Sequence, residues 1–396
     1  MTLLDIKKVG IKNDLAIYVH WPFCLSKCPY CDFNSHVETN IDYSSMTRAY
    51  VKELKTLHQK FTNQQIIVKS IFFGGGTPSL MPAEMFETLL STISNLWSIS
   101  ENVEVTIEAN PSSVSVENFS AYKTAGVNRL SLGVQSFKNS ALKFLGREHD
   151  ALEAKKAIEI GSKIFDRISI DLIYGRPGQL PQEWEIELSD ALKYPIQHIS
   201  LYQLTIEKGT EFFSLFKKGR FVLPPDEVQT DMFNICLNLT QKANMQAYEI
   251  SNYSKPGEES LHNLAYWLYK PYLGVGPGAH GRLPNDKGGR QATRMHSKPK
   301  TWLDAVSEFG HGAAYWKNIN ASERAAEALL MGLRLEQGVE IKNFEDRTGV
   351  NINEAIKIDQ VRDLERENFL EFSDTHLRIT HQGRLVMNSI INKIAA

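Results

Sequence analysis

The sequence predicts an α/β fold built on a parallel sheet, and three observations carry that prediction. From about Leu15 to Ile250, short β-branched runs alternate with amphipathic stretches at helical spacing. About six such βα units follow one another, which calls for right-handed crossovers between parallel strands. Polar residues and glycines recur where the strands end, the side on which α/β sheets and barrels place their ligands. A doubly wound sheet and a partial (β/α) barrel both satisfy this rhythm.

The expected strands are LAIYVH (15–20), VKSIFF (68–73), VEVTIEA (103–109), NRLSLGV (128–134), RISIDLIY (167–174) and HISLYQLT (198–205). Between them, DYSSMTRAYVKELKTL, PAEMFETLLSTISNL, ENFSAYKTAG and ALEAKKAIEIG carry apolar residues at helical intervals. Proline or serine opens several of these helices, and Gly126 and Gly161 are expected to close two of them. Tyr18 is placed at the end of the first strand, Gly74, Gly75 and Gly76 after the second, and Glu108 at the end of the third. Gln135 closes the fourth, and Asp171 lies within the fifth, ahead of a glycine turn. After Ile250 the alternation stops. SNYSKPGEES reads as a loop, followed by HNLAYWLYKPYLGVGPGAHG and a polar, glycine-containing stretch to about Trp316. From Ala321 the pattern is three helices, a short hairpin in LEFSDTHLRITHQG and a last helix, the order of a winged-helix module.

Composition excludes several classes. Residues 321–396 hold 10 Lys/Arg against 13 Asp/Glu, so this module lacks the cationic footprint of a DNA reader. The whole chain carries a formal charge of −2, which offers no electrostatic case for nucleic acid or an anionic membrane. No apolar run approaches the ~20 residues of a membrane-spanning helix, and MTLLDIKKVG lacks the apolar region of a signal peptide. The four cysteines, three of them clustered, fit a reducing compartment and point to the cytoplasm.

Those three, Cys24, Cys28 and Cys31 in HWPFCLSKCPYCDFNS, dominate the chemistry of the sequence. A C-x3-C-x2-C run is too short to close useful disulfide loops, yet it brings three soft ligands onto one turn. Such a set suits an iron–sulfur cluster with one iron left open. A structural zinc half-site is the alternative, but zinc in a closed site takes four protein ligands, and Cys236 is remote in sequence. Cys236 itself lies on the apolar face of DMFNICLNLT and reads as a small buried hydrophobe.

With these residues in view, the chain resembles the radical S-adenosylmethionine (SAM) superfamily. Over nearly its whole length it is similar to the branch that holds oxygen-independent coproporphyrinogen dehydrogenase (HemN) and the HemW-type heme chaperones. The motifs that carry the resemblance are YVHWPFCLSKCPYCDFNSH, FFGGGTPSL, EANP, AGVNRLSLGVQSF, LGREH, DLIYGRPGQ and YQLTIE. It implies a [4Fe–4S] cluster on Cys24, Cys28 and Cys31, with SAM chelating the fourth iron and yielding a 5′-deoxyadenosyl radical on one-electron reduction. Tyr18, Gly75, Gly76, Thr77, Glu108, Gln135, Arg147 and Asp171 match positions that contact SAM in this branch. Glycines let backbone approach a ligand, carboxylates accept from ribose hydroxyls or an ammonium, and Arg147 can pair with a carboxylate.

Three features favour the chaperone over the dehydrogenase. Phe33 stands where the dehydrogenase carries a further cysteine. Only 23 residues precede Cys24, too few for that enzyme's N-terminal arm and a first strand. His262-Asn263-Leu264-Ala265-Tyr266-Trp267 fits the H-N-x-x-Y-W motif that marks HemW. A neutral His262 imidazole suits an axial heme ligand, with Tyr266 and Trp267 offering flat faces to the porphyrin. The alternative is a hydrogen-bonded His262 with both aromatics in the core; His20 and His280 are further candidate ligands.

The resemblance therefore implies a partial (β/α)6 barrel within residues 1–250, a connecting segment over 251–320 with the heme motif, and a winged-helix-like module over 321–396. It implies a heme chaperone that binds [4Fe–4S], SAM and heme, takes electrons from a donor and passes heme to an acceptor such as a heme-requiring respiratory enzyme. The alternative activity is oxidative decarboxylation of coproporphyrinogen III. Neither nucleic acid nor an integral membrane segment is expected.

Overall fold

A computed structural model describes residues 13–61, 66–285 and 289–395 of the chain. The N-terminal decapeptide scanned for a signal, and the start of the expected barrel domain, lie outside the described residues. Six parallel strands form the frame: β1 (Asn13–Trp21), β2 (Ile66–Gly75), β3 (Ser98–Ala109), β4 (Arg129–Gln135), β5 (Arg167–Tyr174) and β6 (His198–Gln203). Each pairs with its sequence neighbours in the order 1-2-3-4-5-6. A doubly wound sheet would reverse direction part-way; this one never does, so the sheet is wound as a barrel.

Helices α1 (Tyr43–His58), α2 (Ala83–Leu96), α3 (Val116–Thr124), α4 (Ala151–Ile164), α5 (Pro181–Ala191) and α6 (Asp226–Lys242) follow the strands. In α1 the buried residues Met46, Ala49, Tyr50, Glu53, Leu54 and Leu57 fall on one stripe, and the Asp42 carboxylate caps the helix by accepting from Ser45 N. The stripe packs on the outer faces of the strands, where Ile17, Ile71, Val105, Leu130, Ile168 and Ile199 join one core. Each fully buried side chain of this kind contributes about 1.5–3 kcal/mol. Gly126 follows the end of α3 as expected. Gly161 does not end α4, which runs on to Ile164. A Cβ there would come within 2.8 Å of Leu130 Cδ2, so the glycine permits close helix-to-sheet packing instead.

The barrel is open. Beyond β6 the sheet continues with antiparallel β7 (Asn252–Ser254), and on its other side β8 (Tyr272–Val275) pairs parallel to β1. Antiparallel β9 (His280–Pro284), β10 (Arg290–Met295) and β11 (Ala313–Ile319) extend that edge. Residues 251–320, expected to connect two domains, thus contribute strands to the main sheet. Within this region are α7 (Leu261–Trp267), which carries HNLAYW, and α8 (Pro299–Phe309). Glu53 of α1 ties the region down: its buried carboxylate accepts from Gly276 N (2.8 Å), Gly312 N (2.7 Å) and Trp302 Nε1 (3.0 Å).

The last part has a core of its own. It comprises α9 (Ala321–Gly332), β12 (Val339–Glu340), α10 (Ile341–Thr348), α11 (Ile358–Arg366), the hairpin β13 (Leu370–Phe372) and β14 (His376–Ile379), and α12 (Met387–Ile394). The three strands pair in the order β12-β14-β13, the expected winged-helix arrangement. INEAIKIDQVRDLERENF (352–369), the third of the helices expected after Ala321, is broken at Ile356 and Lys357, whose backbone pairs with Ala395 and Ile394 instead. Among the described residues no helix is long and apolar enough to cross a membrane.

Candidate functional site

The outer strand faces are apolar, so the alternate residues point into the barrel, and they are largely polar. At the strand starts, Glu104 is 1% exposed and pairs with Arg167 (3.0 Å) and, more distantly, Arg129 (3.9 Å). The same carboxylate accepts from the backbone N–H groups of Leu261 and His262, each at 3.1 Å, anchoring the start of α7 inside the open barrel. His198, also buried, bonds Ser169 Oγ (2.7 Å) and Tyr248 OH (2.9 Å).

His262 lies one step above. Its ring is 1% exposed, with Nδ1 3.1 Å from Ser70 Oγ and Nε2 2.9 Å from Tyr266 OH. It stacks on Phe72 with ring centroids 4.9 Å apart, and burial lowers its pKa to about 3. The residues expected to hold heme are thus brought together, but not at an open face: both imidazole nitrogens are engaged, and none of the three lines the large cavity. An imidazole so held offers a lone pair to iron only by giving up its hydrogen bond to Ser70 or to Tyr266. Of the other two candidates, His20 is also buried, bonding Tyr18 OH (3.0 Å) and the Asn34 carbonyl (2.8 Å), while His280 is exposed at the start of β9.

At the carboxyl ends of the strands the barrel opens into a cavity of about 780 Å³. Cys24, Cys28 and Cys31 line it from the loop after β1. All three are free and half-buried. Among the described residues they are not drawn into a ready-made metal site. Burial raises the pKa of Cys24 and Cys31, so both are thiols until a metal takes the proton's place. Thr77 Oγ1 donates to Cys24 Sγ and Arg147 Nη1 to Cys28 Sγ, each at 3.5 Å.

Seven of the eight residues matched to SAM positions line the same cavity: Gly75, Gly76, Thr77, Glu108, Gln135, Arg147 and Asp171. Gly75 has φ +113° and donates its N–H to Glu108 Oε2 (3.1 Å), and a Cβ on Gly76 would meet Phe23 O at 2.5 Å. Both positions demand glycine, the first for its backbone angle and the second for close approach. Tyr18 is the exception. β1 runs on to Trp21, so Tyr18 sits a layer deeper, against Phe72 and near His262. Continued pairing with β2 as far as Gly75 extends the strand past the residue expected to end it.

The electrostatics favour a cation. Burial, then the neighbouring Asp171 charge, lifts the Glu108 carboxyl to about 8; burial lifts Asp171 to about 6. Arg147 leaves its Nε buried without a partner, while Nη2 donates to Asn110 Oδ1 (2.6 Å) and Gly133 O (3.0 Å). Asn110 is a site residue that the sequence reading left unassigned. It lies within EANP at the end of β3, lines the cavity, and also donates to Thr77 Oγ1 (3.1 Å), so its strand-end position was the available signal. Arg334 and Arg384 line the same cavity from the C-terminal domain, where no local pattern pointed to them. Cys236 is fully buried and accepts from Trp184 Nε1 (3.3 Å), in keeping with a structural role.

Comparison with known proteins agrees with this architecture. Residues 18–190 match the radical SAM superfamily and residues 319–386 the HemN C-terminal domain. The chain is 37% identical to the heme chaperone HemW of Haemophilus influenzae over 384 residues, covering 95% of this chain and 97% of that one. It is 34% identical to HemW of Bacillus subtilis over 382 residues, with 95% and 97% covered. A mitochondrial radical SAM domain-containing protein 1 from Danio rerio is 34% identical over 387 residues, with 96% and 87% covered. The solved structure of coproporphyrinogen III oxidase (HemN) from Escherichia coli superposes with a TM-score of 0.80 at 20% identity, covering 96% of this chain and 90% of that one; the likeness extends to the fold. The cysteine loop, the sequentially wound open barrel and near-full-length identity to named chaperones converge: the chain belongs to the HemW family of the radical SAM superfamily.

Proposed function

We propose that this protein is a cytoplasmic heme chaperone that carries a [4Fe–4S] cluster, binds SAM and delivers heme to an acceptor protein. The observation that carries the cofactor assignment is the single cavity that gathers Cys24, Cys28 and Cys31 with the strand-end residues Gly75, Gly76, Thr77, Glu108, Gln135, Arg147 and Asp171. The donor set fits the cofactors. Three thiols on one loop supply soft ligands for a cluster and leave one position for a further ligand. The elevated Glu108 and Asp171 carboxyls gain a counter-charge from an ammonium or sulfonium, and the unpartnered Nε of Arg147 gains an acceptor in a carboxylate. When bound, cluster and SAM together supply one-electron cleavage of a carbon–sulfur bond, given an electron donor.

The chain's residues perform the positioning. Thr77 and Arg147 donate to cysteine sulfurs and so stabilise thiolate charge. Glu108 holds the Gly75 turn by accepting its N–H and would supply a carboxylate to the ligand's cationic end. The heme assignment rests on the HemW relatives. Its test is an anaerobic heme titration of cluster-reconstituted protein, followed at the Soret band. Saturation near one heme per chain is expected; absence of saturable binding would overturn the chaperone reading.

A further inference from the structure

The cavity reaches past the barrel rim to a wall supplied by the C-terminal domain. That wall contains Arg334, just beyond α9, and the run Arg384 to Ser389 ahead of and into α12. Two chemistries meet on it. Leu385 and Val386 face the opening with 45% and 43% of their surface exposed, an apolar shelf left in water. Two guanidinium groups, those of Arg334 and Arg384, line the same cavity. Arg334 lies over the Trp267 ring at 4.8 Å and 3.6 Å from Glu249, and its Nε is buried with no acceptor. The Arg384 side chain is 5% exposed and forms an ion pair with Glu336, itself 55% exposed.

A guanidinium presents five donors in a rigid fork, so one carboxylate fixes its direction and leaves donors for a second. Glu249 and Glu336 each engage one terminal nitrogen of their arginine, and Arg334 Nε has no acceptor, so each fork keeps donors for a second carboxylate. An apolar shelf flanked by two cations selects a flat apolar molecule with two carboxylates. Resting on the heme-chaperone reading above, we propose that Arg334 and Arg384 clamp the propionates of a tetrapyrrole whose macrocycle lies on the Leu385–Val386 shelf. The ligand then occupies the cavity shared with the cysteine loop, and Trp267 of HNLAYW serves it indirectly, as the platform under Arg334.

The test compares heme with its dimethyl ester, which keeps the iron and ring but loses both charges. Reconstituted wild-type protein, Arg334→Met and Arg384→Met are titrated anaerobically in the same low fraction of organic co-solvent. Loss of a charge-assisted contact is expected to weaken heme binding at least ~tenfold in each variant, and the ester should bind wild type at least ~100-fold more weakly than heme. The ester arm needs no substitution, so a misfolded variant does not blunt it. Equal affinity of wild type for heme and ester would overturn the clamp. So would heme loss in His262→Ala with both arginine variants titrating like wild type. If wild type takes up neither compound, the chaperone reading itself falls, a result distinct from a failure of the clamp alone.

Discussion

Glu108→Gln should stabilise the cofactor-free protein at pH 8 while damaging its site. The folded-state carboxyl titrates at about 8 against an ordinary 4.5, because burial and then Asp171 oppose its charge. A raised carboxyl pKa means the folded state keeps the proton that the unfolded chain gives up. The Glu108 contribution to stability is therefore whole below about 4.5 and is lost as pH rises to about 8. At ~1.4 kcal/mol per pK unit the full difference is roughly 4–5 kcal/mol. Glu108 borders the cavity and is part-exposed, so water screens it and leaves on the order of 2 kcal/mol. Glutamine keeps an oxygen for the Gly75 N–H and does not titrate. Urea unfolding of cofactor-free protein under reducing conditions should give similar stabilities for the two proteins near pH 4.5 and a gain for the variant at pH 8. The same substitution should weaken SAM binding to reconstituted protein at least ~tenfold, since a charged acceptor is lost. A variant that gains nothing at pH 8, or gains equally at both pH values, would refute the electrostatic reasoning.

Replacing Cys24, Cys28 or Cys31 with Ala should remove most iron and sulfide after anaerobic reconstitution, whereas Cys236→Ala should retain both; iron and sulfide analysis separates the cases. Glu187 accepts from Phe137 N (2.8 Å) and pairs with buried Arg176 (2.5 Å), so Glu187→Ala strands a guanidinium and should cost about 3–5 kcal/mol in denaturant unfolding. Glu53→Gln replaces one of two acceptor oxygens by a donor facing Gly276 N, Gly312 N and Trp302 Nε1; about 2–3 kcal/mol should be lost, and the Trp302 fluorescence environment should change. Burial raises the Glu53 carboxyl to about 7, so its contribution to stability is whole below about 4.5 and falls as pH rises toward 7. The Gln variant should lack that pH term.

Much of the fold was legible because it is written in local periods. All six parallel strands and the helices after the first four appear within a few residues of their expected places. The strand-end rule also anticipated the cavity lining: Gly75, Glu108, Gln135 and Asp171 come from different strands and share one cavity. Its failures were local as well. Tyr18 is expected at the end of the first strand, but pairing with β2 carries the strand on through Trp21. Gly161 was read as a stop because glycine often ends helices, whereas here the pressure comes from Leu130 across the helix–sheet interface.

By itself the sequence determined the family, the cluster of three cysteines, the parallel α/β frame and the polar strand ends, since each depends on residues a few positions apart. Only the tertiary structure decided the rest. It set β8 beside β1 across some 250 residues, seated HNLAYW within the open barrel on Glu104, and closed the cavity with Arg334 and Arg384. Such juxtapositions depend on which buried groups satisfy one another over long separations. His262 shows the difference: its motif, Tyr266 included, is visible in six residues, but its state is also set by Ser70 and Phe72, which only folding brings beside it.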